Sequence, residues 1–339
     1  MKIAFCSCNH PLVHPQQPGW LALAEHAPDV LLLLGDNVYI ENSVDELIGN
    51  RRPCMALSDL AYAQRLYARY AAQWAVAEFR NALRAVHARA GRVLGTLDDH
   101  DFLGNDTYVS PILERKARLA RQLHRQFIAA CNERPLSALY PSFDEVFGMD
   151  DVGYAQGIGV AQSFSVESSG IALKLILLDN RSYRQAPFAN GLAAPAACLG
   201  AAQISWLAQE LVGSQRITLV ASGSTLSAGD RAGIAGSPLA TYRHEANVLR
   251  TLYRGMSSGG QRLVHLGGDL HYNAYWPANA QFPWSELASS GMGSGWQPFA
   301  GHQRGNFGLI TLSDNALRMQ LLGSEPERNV DTFMEITAS

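Results

Sequence analysis

The sequence predicts an α/β protein built on a mixed sheet, or on two sheets stacked face to face. Three observations lead there. Short apolar, β-rich runs recur along the chain, bounded by glycine or polar clusters. Stretches with helical spacing lie between them, as in layered α/β domains. Two pairs of neighbouring runs are close enough in sequence to pair as hairpins, which adds antiparallel strands to a parallel core.

The strand-like runs are Lys2–Phe5, Val30–Leu34, Arg92–Leu97, Ile171–Leu178, Ile217–Ala221, Arg262–Leu266, Glu286–Ser289 and Phe307–Leu312. Val30–Leu34 (VLLLL) has no polar face, which fits a strand covered on both sides. Helical spacing spans Asp59–Arg89, Pro111–Cys131, Gly200–Val212 and Thr241–Tyr253. The expected hairpins join Val160–Val166 to Ile171–Leu178 around residues 168–170, and Phe307–Leu312 to Ala316–Leu322 at residues 314–315. The Ala/Pro-rich stretch Gln185–Gly200 and the Gly/Ser/Ala-rich stretch Ser222–Ser237 read as long loops. With no internal repeat and no sharp composition shift, residues 1–339 are expected to form a single domain.

Composition narrows the function. The 339 residues carry 27 basic and 30 acidic side chains, a net charge of −3. That balance excludes a polycationic nucleic-acid or membrane binder as the first reading. No transmembrane run of about 18 apolar residues is present. The start, MKIAF, has no charged leader with an apolar stretch behind it, so a cytoplasmic location is expected. The five cysteines (6, 8, 54, 131 and 198) fit free thiols in a reducing compartment.

Polar residues follow the ends of six of the runs, where open α/β sheets bind their ligands. The segment Asp98-Asp99-His100-Asp101 is the most informative. Carboxylates brought together at a buried strand end repel one another, and a bound cation cancels that repulsion. After Gly267 and Gly268, Asp269-x-His271 puts a hard oxygen and an imidazole two residues apart, on one side of an extended backbone. With Asp36 at a third strand end, these clusters favour a metal site, its ligand from the first cluster being Asp98 or Asp99. Carboxylates suit Ca, Mn or Mg, imidazole suits Zn and Fe, and thiolate is softer. A mixed set argues for two unlike metals.

Six motifs then fall in a recognisable order: Ser7-Cys8-Asn9, Gly35-Asp36-x-x-Tyr39, Asp98-Asp99-His100-Asp101 with Asn105-Asp106, Asp179-x-Arg181-Ser182-Tyr183-Arg184, Gln203-x-x-Trp206-Leu207 and Gly268-Asp269-x-His271. This set resembles the PhoD-like alkaline phosphatase family of calcineurin-like metallophosphoesterases. The likeness runs from residue 6 to the Glu286–Gly291 segment. It implies a four-layer α/β/β/α sandwich of two mixed sheets flanked by helices, with a centre of two or more metal ions, iron with calcium by resemblance and manganese or zinc as alternatives. It implies a phosphomonoesterase or phosphodiesterase acting on a small phosphoester. Cys8, Asp36, Tyr39, Asp99, Asp269 and His271 match metal ligands, with Asp36 bridging. His100 matches the histidine that contacts the phosphoryl group, and Arg181 and Asn105 match substrate-binding positions. The sequence departs from the family at Leu97, where tryptophan is usual, and at Cys6, read here as a buried, inert thiol.

On this reading a metal-activated water near Asp36 attacks phosphorus. His100 and Arg181 stabilise the developing charge, or His100 protonates the leaving alkoxide. The pocket walls are expected from Tyr108–Pro111, Pro187–Gly200, Ala228–Tyr242 and Asn273–Trp284, with His10 and His14 on the rim and Trp20, Tyr272, Trp276 and Trp296 as shaping aromatics. Two other functions compete. One is a metal- or phosphate-binding module without catalysis. The other is a serine hydrolase at Ser257, in Gly255-x-Ser257-x-Gly259. A nucleophile elbow needs a strand before and a helix after, and here the order is inverted.

Overall fold

Alternate side chains of the central strands enter two different cores, and this fixes the layers. The computed structural model describes residues 1–43, 45–46, 52–168, 171–186, 195–212, 216–227, 241–293, 304–313 and 316–336. The turns expected at 169–170 and 314–315, most of the loops expected at 187–200 and 228–242, and Trp296 lie outside these residues. Along the chain run β1 (Lys2–Cys6), α1 (Gly19–Glu25), β2 (Val30–Leu34), α2 (Pro53–Ala56), α3 (Asp59–Ala75), α4 (Ala77–Ala88), β3 (Arg92–Thr96), α5 (Glu114–Asn132) and α6 (Val152–Ala155). There follow β4 (Gln162–Ser168), β5 (Ile171–Leu177), α7 (Ala201–Leu211), β6 (Ile217–Ala221), α8 (Arg243–Ser258), β7 (Arg262–Gly267), β8 (Ala274–Trp276), β9 (Ser285–Ala288), β10 (Phe307–Leu312), β11 (Ala316–Leu322) and β12 (Val330–Glu335).

The strands form two sheets, in the orders β12-β11-β10-β1-β2-β3 and β4-β5-β6-β7-β9-β8. Both are mixed. The first is parallel through β1, β2 and β3 and antiparallel beyond β10. The second is parallel from β5 to β9, with antiparallel β4 and β8 at its edges. In β2, Leu31 and Leu33 join Trp20, Leu66, Phe79 and Phe127 in a core beneath α1, α3, α4 and α5. Val30, Leu32 and Leu34 turn the other way and meet Leu173, Leu175, Leu219 and Leu266 of the second sheet. That sheet's outward residues Ile176, Val220 and Leu263 pack against Leu207, Leu249 and Tyr253 of α7 and α8. Each fully buried leucine contributes about 1.5–3 kcal/mol, so period-two alternation between apolar neighbours yields helix, sheet, sheet, helix in that order.

The carboxyl ends of the parallel strands of both sheets meet along one seam. Glycines make the approach possible. A Cβ on Gly268 would lie 2.6 Å from the Gly223 carbonyl oxygen and from Ser7 Oγ, and 2.7 Å from the Leu34 carbonyl oxygen. Gly35 has φ +74° and is packed against the Asp98 backbone. Thr96 Oγ1 crosses from one sheet to the other and donates to the Leu178 carbonyl at 2.6 Å.

Four details differ from expectation. The helical stretch Asp59–Arg89 is two helices broken at Val76, which has φ −63° and ψ 115°. The buried stripe Tyr62, Leu66, Tyr70, Trp74 would next fall on Glu78 and Asn81. It restarts at Phe79, Ala82, Leu83 and Val86 instead, so the phase slips and the chain turns. The first hairpin strand starts at Gln162 rather than Val160, because the Val160 N–H donates to Asp179 Oδ2. The helix expected to end at Tyr253 runs on to Ser258, which carries the Gly-x-Ser-x-Gly pattern inside α8. Two strands, β8 and β12, went unpredicted: both are edge strands with no fully buried position, so neither shows a strong apolar signal.

Candidate metal centre

Among the described residues, seven that are not glycine have a left-handed backbone, and Cys8 (φ 63°), Asp36 (φ 48°), Asp269 (φ 72°) and His271 (φ 58°) of these lie at this seam. Such conformations cost of order 1–3 kcal/mol each and persist only where the surroundings hold them. Here they turn the side chains of three strand ends toward one point.

Asp36 is the hub. Its Oδ2 accepts from Cys8 Sγ and from the Tyr39 hydroxyl, each at 3.3 Å. Its Oδ1 accepts the His100 backbone N–H at 3.2 Å. The Tyr39 hydroxyl is 3.0 Å from His271 Nε2. Ser290, behind β9, donates to Cys8 Sγ at 3.0 Å. Three sets of donor atoms, Cys8–Asp36–His271, Asp36–Asp99–His100 and Asp36–Asp98–Asp269, each lie within 4.8 Å of one another, and Asp36 belongs to all three.

The electrostatics of this cluster call for a cation. Burial, with the charges of Cys8, Asp99 and Asp98 added, raises the Asp36 carboxyl well above its ordinary range. Burial and the neighbouring Asp98 and Asp99 push Asp269 up to about 7. Burial pushes the Cys8 thiol up to about 11 and raises the Tyr39 phenol well above its usual value. So many buried acids cannot all ionise without compensation. Thiol, phenol, carboxylates and imidazole together fit a metal centre, since bound cations favour the deprotonated form of every one of these ligands.

Arg181 is buried between carboxylates. Its Nε donates to Asp98 Oδ1, and its Nη2 is 3.6 Å from Asp99 Oδ2. Asp98 also accepts from Asn180 Nδ2 at 3.4 Å and Ser224 Oγ at 3.3 Å. Burial raises Asp99, but Arg181 and His100 outweigh it and hold that carboxyl below the usual range. The nearby Asp179 carboxylate does not pair with the guanidinium. Asp179 Oδ1 accepts the backbone N–H groups of Arg181 and Ser182, at 3.0 and 2.9 Å.

His100 Nδ1 lies 3.0 Å from Glu41 Oε2, and its ring stacks on Tyr39 at 4.1 Å. Burial opposes charge on this imidazole, yet Glu41, Asp99 and Asp36 raise it well above its ordinary value. His10 also stacks with Tyr39, at 4.9 Å, which places it beside the site. Asn105 donates its backbone N–H to Glu41 Oε1 at 2.8 Å. Cys6 lies in the helix-side core, away from Asp36. Ser257 is far from any elbow geometry: its Oγ donates to the Pro283 carbonyl at 2.8 Å.

Sequence reasoning missed Glu41 and Ser290. Glu41 stands two residues after Tyr39 on the same loop, but a single glutamate carries no spacing signal. Ser290 sits in the Glu286–Gly291 segment, where the strand end was visible and its contact with Cys8 was not.

A family model described as PhoD-like phosphatase matches residues 3–296. No curated protein matches the chain. Among solved structures, the chain is similar to Vps29 of Entamoeba histolytica complexed with zinc, at 10% identity and TM-score 0.34, covering 99% of each chain. It is similar to TT1561 of Thermus thermophilus, at 8% identity and TM-score 0.39, covering 98% of this chain and 97% of the other. It is also similar to the NAD nucleotidase of Haemophilus influenzae, at 10% identity and TM-score 0.38, covering 99% of this chain and 49% of the other.

Proposed function

Since the chain belongs to the PhoD-like phosphatase family, and so is a metallophosphoesterase, we propose that it hydrolyses small phosphate esters at a centre of two or more metals, which Asp36 would help to hold together with Cys8, Tyr39, Asp99, Asp269 and His271. The observation that carries this is the sharing of Asp36 by all three donor sets. Its two oxygens face different chemistry. Oδ2 looks toward Cys8, Tyr39 and His271, donors that suit iron. Asp98, Asp99 and Asp269 offer hard oxygens in the other two donor sets, which suit calcium or manganese. Asp99 is taken as the ligand from this turn by its place in the family motif, for both carboxylates are hydrogen-bonded: Asp98 by Arg181, Asn180 and Ser224, and Asp99 by the backbone N–H groups of His100 and Asp106.

Bound metals supply Lewis acidity and a nucleophile active near neutral pH. The chain's own residues do the rest. Glu41 holds His100 Nδ1, which leaves Nε2 to meet the phosphoryl group and to hand a proton to the leaving alkoxide. Arg181 fixes Asp98 and Asp99 in place, and its Nη1, without a partner among the described residues, is the donor left for a phosphoryl oxygen. Asn105 sits on the turn that Glu41 anchors and borders the same space. Both sheets contribute ligands, which supports residues 1–339 acting as one domain.

The test is elemental analysis of the purified protein, paired with turnover of nitrophenyl phosphate and bis-nitrophenyl phosphate. Two metal equivalents with turnover are expected, and the better substrate sets the ester class. A folded protein that stays metal-free and inactive after iron, calcium, manganese and zinc are supplied would overturn the proposal.

A further inference from the structure

Arg184 closes the Asp179–Arg184 segment behind β5, and the mechanism above does not use it. Its side chain is 6% exposed. Nε and Nη1 are buried without a partner among the described residues. Nη2 reaches Asp106 Oδ1 only at 3.4 Å, and the Asp106 side chain is itself 59% exposed. The guanidinium is otherwise held by rings: its Cζ lies 5.4 Å from the Tyr108 ring centre and 5.8 Å from that of Tyr242, whose hydroxyl donates to the Gln185 carbonyl. A buried cation with two idle donors is destabilising unless an anion completes it.

Its position says which anion. Asp106 donates its backbone N–H to Asp99 Oδ2 at 2.8 Å, so Arg184 stands one residue outward from a metal ligand. Its own backbone is fastened on both sides: its N–H donates to the Arg181 carbonyl at 3.1 Å, and its carbonyl accepts from Val109 at 3.0 Å. Arg181 is already engaged by Asp98 and Asp99. Arg184 is not, and among the described residues its carboxylate contact is Asp106, whose backbone binds Asp99.

We propose that Arg184 recognises the part of the substrate that does not react, by receiving a second anionic group carried on the leaving alcohol. The substrate class is then a phosphate ester whose alcohol bears a further phosphate or a carboxylate. This rests on the hydrolase reading above. Asp106 is the group such an anion displaces, since its bond to Arg184 is long and its side chain faces solvent.

The experiment measures phosphate release by the metal-loaded full chain from three esters: propyl phosphate, propane-1,3-diol bisphosphate and 3-phosphooxypropanoate. Wild type should favour at least one of the doubly anionic esters by about tenfold in kcat/KM, the order that one charge-assisted hydrogen bond contributes, with the difference in KM. The two doubly anionic arms tell phosphate from carboxylate. Arg184→Gln should bring the ratio to about one, and Asp106→Asn, at an exposed side chain, should raise it. Opposite signs in the two variants are something general damage does not produce. A wild-type ratio near one, or a ratio that neither variant moves, overturns this proposal while leaving the hydrolase reading intact. Absence of release from all three esters by a wild type that still turns over bis-nitrophenyl phosphate overturns this proposal alone, whereas a wild type that turns over none of these esters overturns the hydrolase reading, and this one with it.

Discussion

Asp36 has two oxygens and serves neighbours of different character with each. Asp36→Ala is therefore expected to lose most bound metal and nearly all turnover, checked by elemental analysis beside steady-state kinetics. His100→Ala should keep its metal and lose turnover, by the 10²–10⁴-fold range typical of a missing general acid or base. Unchanged activity in either variant refutes the role given to that residue. Glu41 touches His100 and not the reacting atoms, so it acts by orientation. Glu41→Gln should lower kcat by about 10- to 100-fold, as loss of an orienting partner commonly does, with KM and metal content little altered. At this scale the sequence was legible where motifs have spacing. Asp36, the Asp98–Asp101 run and Asp269-x-His271 announced themselves as charge that needs a partner. Glu41 and Ser290 did not, because their roles depend on which loops meet, and no local pattern encodes that.

Elements place these residues through their ends and their close approaches. Gly268→Ala would drive a Cβ to within 2.6–2.7 Å of three atoms on neighbouring strand ends, two of them backbone oxygens. Overpacking of this kind costs about 1–3 kcal/mol, so a lower melting temperature and reduced activity are expected together. A second prediction concerns α5. His124 is buried against β3, and burial lowers its imidazole to about 4 from an ordinary 6.5. The folded chain thus refuses a proton that the unfolded chain accepts. This stability is whole above pH 6.5 and falls as the pH drops toward 4, by up to about 3 kcal/mol. Melting curves from pH 7 to 4.5 should be flatter for His124→Leu than for wild type, and parallel curves would refute the assignment. The central strands were readable from their apolar runs. The break at Val76 was readable only from the phase of the buried stripe, and edge strands β8 and β12 carried too little apolar signal to be seen.

At the scale of the molecule, two sheets share one site, and the site's buried acids oppose their union until a cation arrives. Chelation should therefore lower the melting temperature of the whole chain. With metal at a thousand times its dissociation constant, the linkage contribution is about 4 kcal/mol. Calorimetry with and without chelator checks this, and identical melts would mean that the acidic clusters are stable without metal. The layered architecture was half legible in patterning alone: the continuous apolar run of β2 called for cover on both faces, whereas the choice of two sheets over one mixed sheet came from the family resemblance, because runs of sequence do not specify pairing.

The hydrogen bond from Ser290 to Cys8 spans 282 residues of chain, and the contact between Tyr39 and His271 spans 232. A ribosome adding about 5–20 residues per second therefore exposes the first half of the proposed ligand set tens of seconds before the second. During that interval Cys8, Asp36 and Tyr39 have no completed cage, and a metal ion meeting them can leave as readily as it came. If these residues hold the metals as proposed, the medium that meets the finished chain, rather than the one at the ribosome, sets which ion fills the completed cage.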